Sequence, residues 1–506
     1  MAFAFKATAV VLMVGAPLAG VWLASSLAAF ANRATWLPVA AGLLLFPGLP
    51  LAWDGIAELR ARKKKGQRRF LTFFDRVVLR TLAVNVLFLV VLLALFPSRA
   101  FVALSTRGDW MLDGRHGPTA ERVRRGLLGC AGAVEWLYRA SNDNPYRESK
   151  DDSDAKKIDP TPATKATSTA PAPSPTTSSS ASTVDAREEA REDDARDEVH
   201  GADERRSPTR ARSHPWPAEL HPVVVSMPRE VEVSIASVGK YIAAHEPDPM
   251  LRVKALHDWV VDRIAYDVPA YLADNVPPED GNADHVFRTR IGVCAGYARL
   301  LAELGKASGD EILYLTGDVR SRQSPMEGES HAWNAARIEG SWYLIDATWN
   351  AGHPKDGAFE KDYKTDYLFT PPEQFVLTHF PDEPKWQLLD TPVSRADFFR
   401  RPVVTPALAA HGLALVTPDR SQVSTGGALD IVVDNPHGAF LIVDFEPRGS
   451  RGGAASTRCG SSVEGGRVRA HCEFPATGTY DVHLFANKER AGTYVHVASV
   501  QANASR

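Results

Sequence analysis

The sequence predicts a chain of three folded parts: an N-terminal α-helical transmembrane region, an α+β domain, and a C-terminal all-β sandwich of the immunoglobulin-like kind. Long uncharged stretches stand before residue 98, helical patterns lead into strand patterns in the middle, and short strands separated by Gly, Pro and Asn follow residue 402. The length of 506 residues also exceeds what a single hydrophobic core usually holds.

The membrane region is predicted to cover residues 1–98. It contains three apolar stretches that each approach or exceed the roughly 18 to 20 residues needed to cross a bilayer, at residues 7–30, 34–53 and 81–98. A cleaved signal peptide is the alternative for the first stretch, because Lys6 precedes it and Ala29-Phe30-Ala31 resembles a cleavage site.

The loop between the second and third stretches sets the predicted orientation. It reads "DGIAELRARKKKGQRRFLTFFDRVVLR" and carries nine Lys or Arg against three acids. Short loops this basic stay in the cytoplasm. We therefore expect a multi-pass protein of the plasma (inner) membrane, held in the lipid bilayer, with everything after residue 98 extracytoplasmic or periplasmic.

Two connecting segments follow the predicted membrane region. Residues 99–146 include "TAERVRRGLLGCAGAVEWLYRA", whose apolar residues recur at helical spacing and predict one amphipathic helix. Residues 147–213 are rich in Ser, Thr, Pro, Ala and charge, with almost no large apolar residues, and predict a disordered linker. The formal net charge of the whole chain, -3, gives no support to nucleic-acid binding.

The remaining sequence predicts the two larger domains. Residues 216–400 run from helical patterns such as "DPMLRVKALHDWVVDRIAYD" into strand patterns, which indicates the α+β domain. Residues 402–506 predict the sandwich. There Cys459 and Cys472 flank a Gly-rich connection, as cysteines on neighbouring strands would; a disulfide and two free thiols both stay open.

The stretch "RIGVCAGYARLL" places Cys294 at the start of a predicted helix. Unsatisfied N–H groups and the positive end of the helix dipole favour a thiolate there, the form that attacks carbonyls. Flanking Gly292 and Gly296 would let a substrate approach closely, although either could equally be a packing glycine. Taken alone, a buried structural thiol explains Cys294 as well.

A base is offered by "ESHAWNAARIEGSWYLIDATWNAG". If Glu339 and Gly340 form a two-residue hairpin turn, Ile338 pairs with Ser341. His331 and Asp346 then lie on the same face as diagonal neighbours, within reach of a hydrogen bond. A slip of one residue would separate them. The two stretches together therefore favour a Cys-His-Asp site.

These residues carry a family resemblance. "GVCAGYA" followed by "SHAWNAARIEGSWYLIDATW" resembles the transglutaminase-like superfamily of the papain-like cysteine fold, and "DYLFTPPEQFVLTHFPDEPKWQLLD" is similar to the segment after the core in its kyphoscoliosis-peptidase-like branch. The likeness covers residues from about 250 to 392. It implies a papain/transglutaminase-like core with Cys294 as nucleophile, His331 as base and acid, and Asp346 as the residue that orients the imidazole.

The expected activity is that of a cysteine peptidase or protein-glutamine transamidase acting on amide bonds of proteins or peptides, without a metal or other cofactor. The Cys294 backbone N–H is one expected oxyanion donor, and Asn282 is a weak candidate for the second. The alternative is a non-catalytic scaffold that binds proteins with the same fold. A thiolate metal site would need more ligands near Cys294 than His331 alone.

Overall fold

A computed structural model gives the fold. It describes residues 2–43, 48–62, 72–115, 117–142, 144–147, 158, 160, 214–449 and 456–505. The linker predicted at 147–213 lies outside the described residues except for residue 147 and the isolated residues 158 and 160.

The N-terminal region is helical, with helices α1 (Ala2–Phe30), α2 (Trp36–Leu43), α3 (Leu49–Arg62) and α4 (Phe73–Leu95). Of the helices in the described residues, α4 alone is long and apolar enough to cross a membrane, with mean hydropathy 2.5 over its best window. It begins with a capping box in which Thr72 and Asp75 bond to each other's backbone N–H. The other two predicted spans fall on α1 and across α2 and α3, where residues 44–47 lie outside the described part, so a three-span topology stays a prediction.

Three short helices follow: α5 (Pro97–Arg107), α6 (Pro118–Gly132) and α7 (Glu135–Ser141). The single amphipathic helix expected here is wrong, since the chain breaks between α6 and α7 at Ala133 and Val134. Asp109, fully buried after α5, accepts from Arg124 Nε at 2.7 Å and lies 3.4 Å from Arg400 and Arg420. These ion pairs connect the helices α5 and α6 to Arg400 and Arg420, far along the chain.

The middle of the chain forms the α+β domain. Its helices are α8 (Pro222–Val225), α9 (Ile235–His245), α10 (Pro249–Arg263), α11 (Val268–Leu272), α12 (Ala283–Thr289), α13 (Cys294–Ser308), α14 (Ala347–Ala351), α15 (Pro372–Phe375) and α16 (Arg395–Arg400). Helix α10 starts where Asp248 caps the N–H of Leu251 and buries Trp259 completely. Helix α13 ends at Gly309 in the left-handed conformation, φ 87°, which glycine adopts without steric cost.

The strands of this domain are β1 (Ala265–Tyr266), β2 (Ile291–Gly292), β3 (Glu311–Val319), β4 (Glu329–Ile338), β5 (Ser341–Ile345), β6 (Gly352–Lys355), β7 (Ala358–Lys361), β8 (Leu368–Thr370) and β9 (His379–Pro381). Five of them form an antiparallel sheet in the order β8-β5-β4-β3-β9. Helix α13 packs against β3 and β4. The start of α13 therefore faces the middle of the sheet.

The predicted register of the β4–β5 hairpin is confirmed. Ile338 pairs with Ser341, and the turn residues Glu339 and Gly340 have φ values of 51° and 86°. Positive φ at both central positions is the requirement of a type I′ turn, whose twist matches that of the strands. The pairing continues to Asn334 and Ile345, after which β5 ends and Asp346 begins α14.

The C-terminal part is a β-sandwich entered through a short helix, α17 (Pro406–Ala410). Its strands are β10 (Val403–Val404), β11 (Ala414–Thr417), β12 (Gln422–Thr425), β13 (Ala428–Asp434), β14 (Phe440–Pro447), β15 (Thr457–Arg458), β16 (Gly460–Glu464), β17 (Arg467–Glu473), β18 (Gly478–Asn487) and β19 (Val495–Ala504). One sheet runs β10-β19-β18-β14-β15 with β12 beside β19, and the other runs β11-β13-β17-β16. Along β17, buried and exposed residues alternate, as a strand with one covered face requires.

Cys459 and Cys472 form a disulfide, so of the two states left open above the structure has the bonded one. Cys459 stands between β15 of one sheet and β16 of the other, and Cys472 lies on β17. The bond therefore closes the point at which the chain crosses between the sheets.

Candidate active site

Cys294 is the first residue of α13 and is 1% exposed. Val293 before it is extended, and its N–H donates to Asp280 O at 3.2 Å, which fixes the entry of the chain into the helix. The N–H groups of the first helical turn have no partner within a helix. They surround the thiol with positive partial charge, as the sequence predicts.

The glycines beside Cys294 are packing residues. A Cβ at Gly296 would lie 2.3 Å from Asp280 O, and one at Gly292 would lie 2.6 Å from a methyl group of Val286. Both contacts are far inside van der Waals distance. Of the two interpretations left open by the sequence, the structure supports close packing against the turn at Pro278–Gly281.

His331 and Asp346 are brought together by the hairpin. His331 Nε2 lies 2.9 Å from Asp346 Oδ2, and the two side chains are 6% and 0% exposed. The other carboxylate oxygen, Oδ1, accepts from the N–H groups of Thr348 at 2.8 Å and Trp349 at 3.2 Å, which makes Asp346 the N-cap of α14. The carboxylate is thus fixed by backbone on one side and by the imidazole on the other.

Cys294 is the other group that acts on the His331 ring, and its thiol lies close enough to raise the pKa of the imidazole. Burial lowers the pKa of His331, but the charges and hydrogen bonds of Asp346 and Cys294 outweigh it and raise that pKa to about 10. Because Nε2 faces Asp346, Nδ1 is the nitrogen left for the thiol. At neutral pH the site favours an imidazolium beside Cys294.

A second histidine, His379, completes the cluster, and sequence reasoning missed it. It lies on β9, and its Nε2 is 3.1 Å from the same Asp346 Oδ2 that bonds His331. Its Nδ1 is 2.9 Å from Thr378 Oγ1. Burial lowers the pKa of His379 to about 4, so the ring is neutral at physiological pH and donates one proton to the carboxylate. The available signal was its place in the downstream segment already matched to the family.

Asp346 is held as a carboxylate. Burial raises the pKa of Asp346, but the positive His331 ring and hydrogen bonds from both histidines more than offset this and hold the pKa well below its usual range. Aromatic rings close the cluster, with Phe375, Trp349 and Trp333 centred 4.1, 4.7 and 5.2 Å from the ring of His379. Buried surroundings of this kind strengthen each charge interaction.

Among the described residues, His331, Asp346 and His379 are also the group whose side chains could bind a metal ion. One ligand atom each from His331, Asp346 and His379 lies within 4.8 Å of the others. In the structure the two short nitrogen-to-oxygen contacts between them are ordinary hydrogen bonds. Cys294 is outside this set, so the thiolate metal site considered above is not formed by these residues.

Asn282, the weak candidate for a second oxyanion donor, has another role. Its side chain is exposed, and its Oδ1 accepts the N–H of His285 at 3.0 Å, which caps helix α12. The structure thus shows Asn282 as a helix cap, and its part in an oxyanion hole stays a prediction. Three tyrosines and a valine pack on the cluster containing Cys294: Tyr146, Tyr266, Tyr314 and Val276.

Residues 236–347 match the family model of the transglutaminase-like superfamily, a range that includes Cys294, His331 and Asp346. The chain is 27% identical to mouse kyphoscoliosis peptidase over 244 residues, which cover 46% of this chain and 35% of the relative. It is 27% identical to the LIM and transglutaminase domain protein of Caenorhabditis elegans over 277 residues, or 48% of this chain and 37% of the relative.

The chain spans little more than a third of the length of these curated relatives. A solved structure described as the crystal structure of a TGase aligns with 26% of this chain and 36% of its own, at 15% identity and a TM-score of 0.21. The resemblance to the transglutaminase-like superfamily and its kyphoscoliosis-peptidase-like branch is confirmed by the family model and the relatives.

Proposed function

We propose that this protein is a membrane-anchored thiol enzyme that acts outside the cytoplasm on amide bonds of proteins or peptides, as a peptidase or a transamidase. The observation that carries the proposal is the cluster of Cys294, His331 and Asp346, in which a thiol at a helix start lies beside an imidazole that a buried carboxylate makes more basic. Each of these features activates a nucleophile.

The chemistry assigns one role to each residue. The Cys294 thiolate attacks the carbonyl carbon, and the first-turn N–H groups of α13 hold the oxyanion. His331 gives its proton to the nitrogen as the C–N bond breaks, which releases an amine and leaves a thioester. Water or a second amine then attacks the thioester, His331 takes its proton, and Cys294 is released.

Asp346 and His379 act through His331. The Nε2–Oδ2 bond of 2.9 Å turns the His331 ring so that Nδ1 meets the thiol. His379 donates to the same oxygen from the opposite side at 3.1 Å. We assign His379 as a positioning residue, since a carboxylate bonded by two rings and two backbone N–H groups has little freedom to turn.

The membrane part of the proposal is supported by two features. Helix α4 is long and apolar enough to span, and the basic loop before it favours a cytoplasmic start, which supports an orientation with the later residues outside. The disulfide Cys459–Cys472 fits that side of the membrane, because disulfides persist in oxidising compartments.

A non-catalytic, protein-binding scaffold is the second candidate, and the burial of Cys294, only 1% exposed, is the observation that favours it. The test compares iodoacetamide labelling of Cys294 in the full-length protein and in His331→Ala at neutral pH, read by mass spectrometry. Cys130, which is free and exposed, is the internal reference. We expect His331→Ala to slow labelling of Cys294 at least tenfold and leave Cys130 unchanged.

Equal rates at Cys294 in both proteins would contradict the activated pair and support the scaffold. Substrate class is tested in the same preparation with a glutamine-donor probe and a peptide-cleavage probe. A covalent acyl adduct on Cys294 with one of them separates transamidase from peptidase, and no adduct with either contradicts enzymatic activity on amides.

A further inference from the structure

One of the residues that cover Cys294, Tyr146, comes from outside the transglutaminase-like domain, whereas Tyr266, Val276 and Tyr314 belong to the domain. Residues 144–147, here called the strap, follow helix α7 and lie across the start of α13. Tyr146 packs on the cluster of Val293, Cys294 and Ala298, and burial and then the nearby Cys294 raise the pKa of its hydroxyl. The strap therefore covers one side of the thiol.

The strap is anchored to the sheet beside the site. Asn144, 5% exposed, donates from Nδ2 to Gly317 O on β3 at 3.1 Å, and its Oδ1 accepts the N–H of Tyr146 at 2.9 Å. Tyr314 on the same strand donates its hydroxyl to Tyr146 O at 2.6 Å. These bonds satisfy the polar groups of the strap in the way that a protein site satisfies an extended peptide.

Contacts on both sides hold the strap in place. Arg147 forms an ion pair of 3.0 Å with Asp382, just after β9. Further along, Ile158 packs on the domain near Trp386 and Leu388, and its carbonyl accepts from Lys385 Nζ at 2.6 Å. Before the strap, Tyr138 of α7 packs against Phe399 and so connects the strap to α5 and α16.

We propose that the strap is an intramolecular cover of the active site, and that an extended polypeptide substrate must displace it to reach Cys294. This rests on the proposed function. Tyr146 and Asn144 hold the thiol closed, and Tyr314 and the Gly317 carbonyl, released from the strap, bond the backbone of the incoming peptide. Because the strap connects to the helices that follow α4, its release is coupled to the membrane-proximal part of the chain.

The test measures the alkylation rate of Cys294 by iodoacetamide in the full-length protein in detergent, with Cys130 as reference. Tyr146→Ala removes the ring and the hydroxyl, Tyr146→Phe removes the hydroxyl alone, and Asn144→Ala removes the anchor on Gly317. We expect Tyr146→Ala and Asn144→Ala to speed labelling at least tenfold, and Tyr146→Phe to give a smaller increase with the fold retained. Tyr494→Ala, a half-buried tyrosine of the sandwich, is the matched control and should change nothing.

Labelling of Cys294 as fast in the unaltered protein as in all three strap variants would overturn the proposal. Combining each strap variant with His331→Ala separates the two hypotheses. If the strap variants speed labelling and His331→Ala changes the rate in none of the backgrounds, the cover exists and the activated pair does not. If His331→Ala slows labelling equally in every background and the strap variants have no effect, the enzyme proposal stands and the cover is wrong.

Discussion

The layer of buried side chains around His331 in the α+β domain and the layer between the two sheets of the sandwich bury different chemistry. The first buries His331, Asp346 and His379 in contact with one another. The second is filled by apolar side chains and closed by a disulfide. A buried polar cluster is costly unless every group is bonded, whereas an apolar layer gains stability with each group buried. Changes in the first layer should therefore affect activity most, and changes in the second should affect only stability.

The largest expected effect comes from Asp346→Ala. It leaves two histidines buried without their shared acceptor, so we expect a loss of turnover on the order of 10⁴-fold, as when the orienting residue of a triad is removed. We also expect the free energy of unfolding of this domain to fall by about 3 kcal/mol or more, because one partner of a buried pair stays behind. Turnover of the amide probe and denaturant unfolding measure the two losses.

The control for that variant is Asp434→Ala in the sandwich. Asp434 also pairs with a cation, Arg467 at 2.7 Å, but both side chains are exposed, 41% and 60%. Exposed pairs contribute less than about 1 kcal/mol. If Asp346→Ala behaves like this control, the buried cluster is neither catalytic nor structural.

An intermediate effect is expected from replacing Cys459 and Cys472 by Ser. The bond joins residues separated by 13 positions, and closing a loop of that size stabilises the folded state by about 3 kcal/mol. We expect the sandwich to lose about that much stability, measured by urea unfolding followed with region-resolved hydrogen exchange, while turnover at Cys294 is retained.

Cys130→Ser is the matched control, because Cys130 is free and exposed and its loss should change neither quantity. A sandwich that unfolds at the same urea concentration with and without the disulfide would contradict the role assigned to the bond.

The smallest expected effect, counted per pH unit, is in the pH dependence of the two regions. Burial first, and then the positive charge of Arg322, lower the pKa of His483 to about 3 and of His496 to about 4. The unfolded chain binds these protons at a higher pH, so the sandwich should lose stability as the pH falls from about 6.5 to 4, by at most about 1.4 kcal/mol per pH unit for each histidine.

The stability of the α+β domain, which contains the active-site layer, should fall at both ends of the pH range. His379 has a pKa near 4, so the α+β domain should also lose stability as the pH falls from about 6.5 to 4. His331 acts in the opposite direction: with a pKa near 10 when folded, it stabilises the domain below about pH 6.5 and loses that contribution as the pH rises towards 10. Region-resolved hydrogen exchange between pH 4 and 10 should show alkaline weakening in this domain alone, and equal alkaline weakening in the sandwich would contradict the assignment.

Much of the site could be predicted from the sequence because its geometry is local. Cys294 stands just before the apolar positions of a helix and is its first residue. The Glu339-Gly340 turn fixes the strand register that brings His331 and Asp346 together. A hairpin has few allowed turns, so a short stretch of sequence determines its pairing. The Cys459–Cys472 bond is local in the same sense, since the two residues flank one connection.

The parts that could not be predicted join distant segments. His379 reaches Asp346 because β9 pairs with β3, and nothing in the periodicity around residue 379 records that pairing. Asn282 looked like a donor near the nucleophile, but the local bond to His285 makes it a helix cap. Tyr146 belongs to a segment whose own composition gave no hint of the thiol it covers.

The sequence alone determined the transglutaminase-like resemblance, the order of helical and strand regions, and the face shared by His331 and Asp346. These depend on residue type and on spacings of a few positions, which helix and strand geometry convert directly into contacts. Only the tertiary structure decided that Asp346 has two imidazole partners and that Tyr146 lies on Cys294. Such contacts arise when separate layers pack together, and they depend on the arrangement of the whole chain rather than on any one stretch of it.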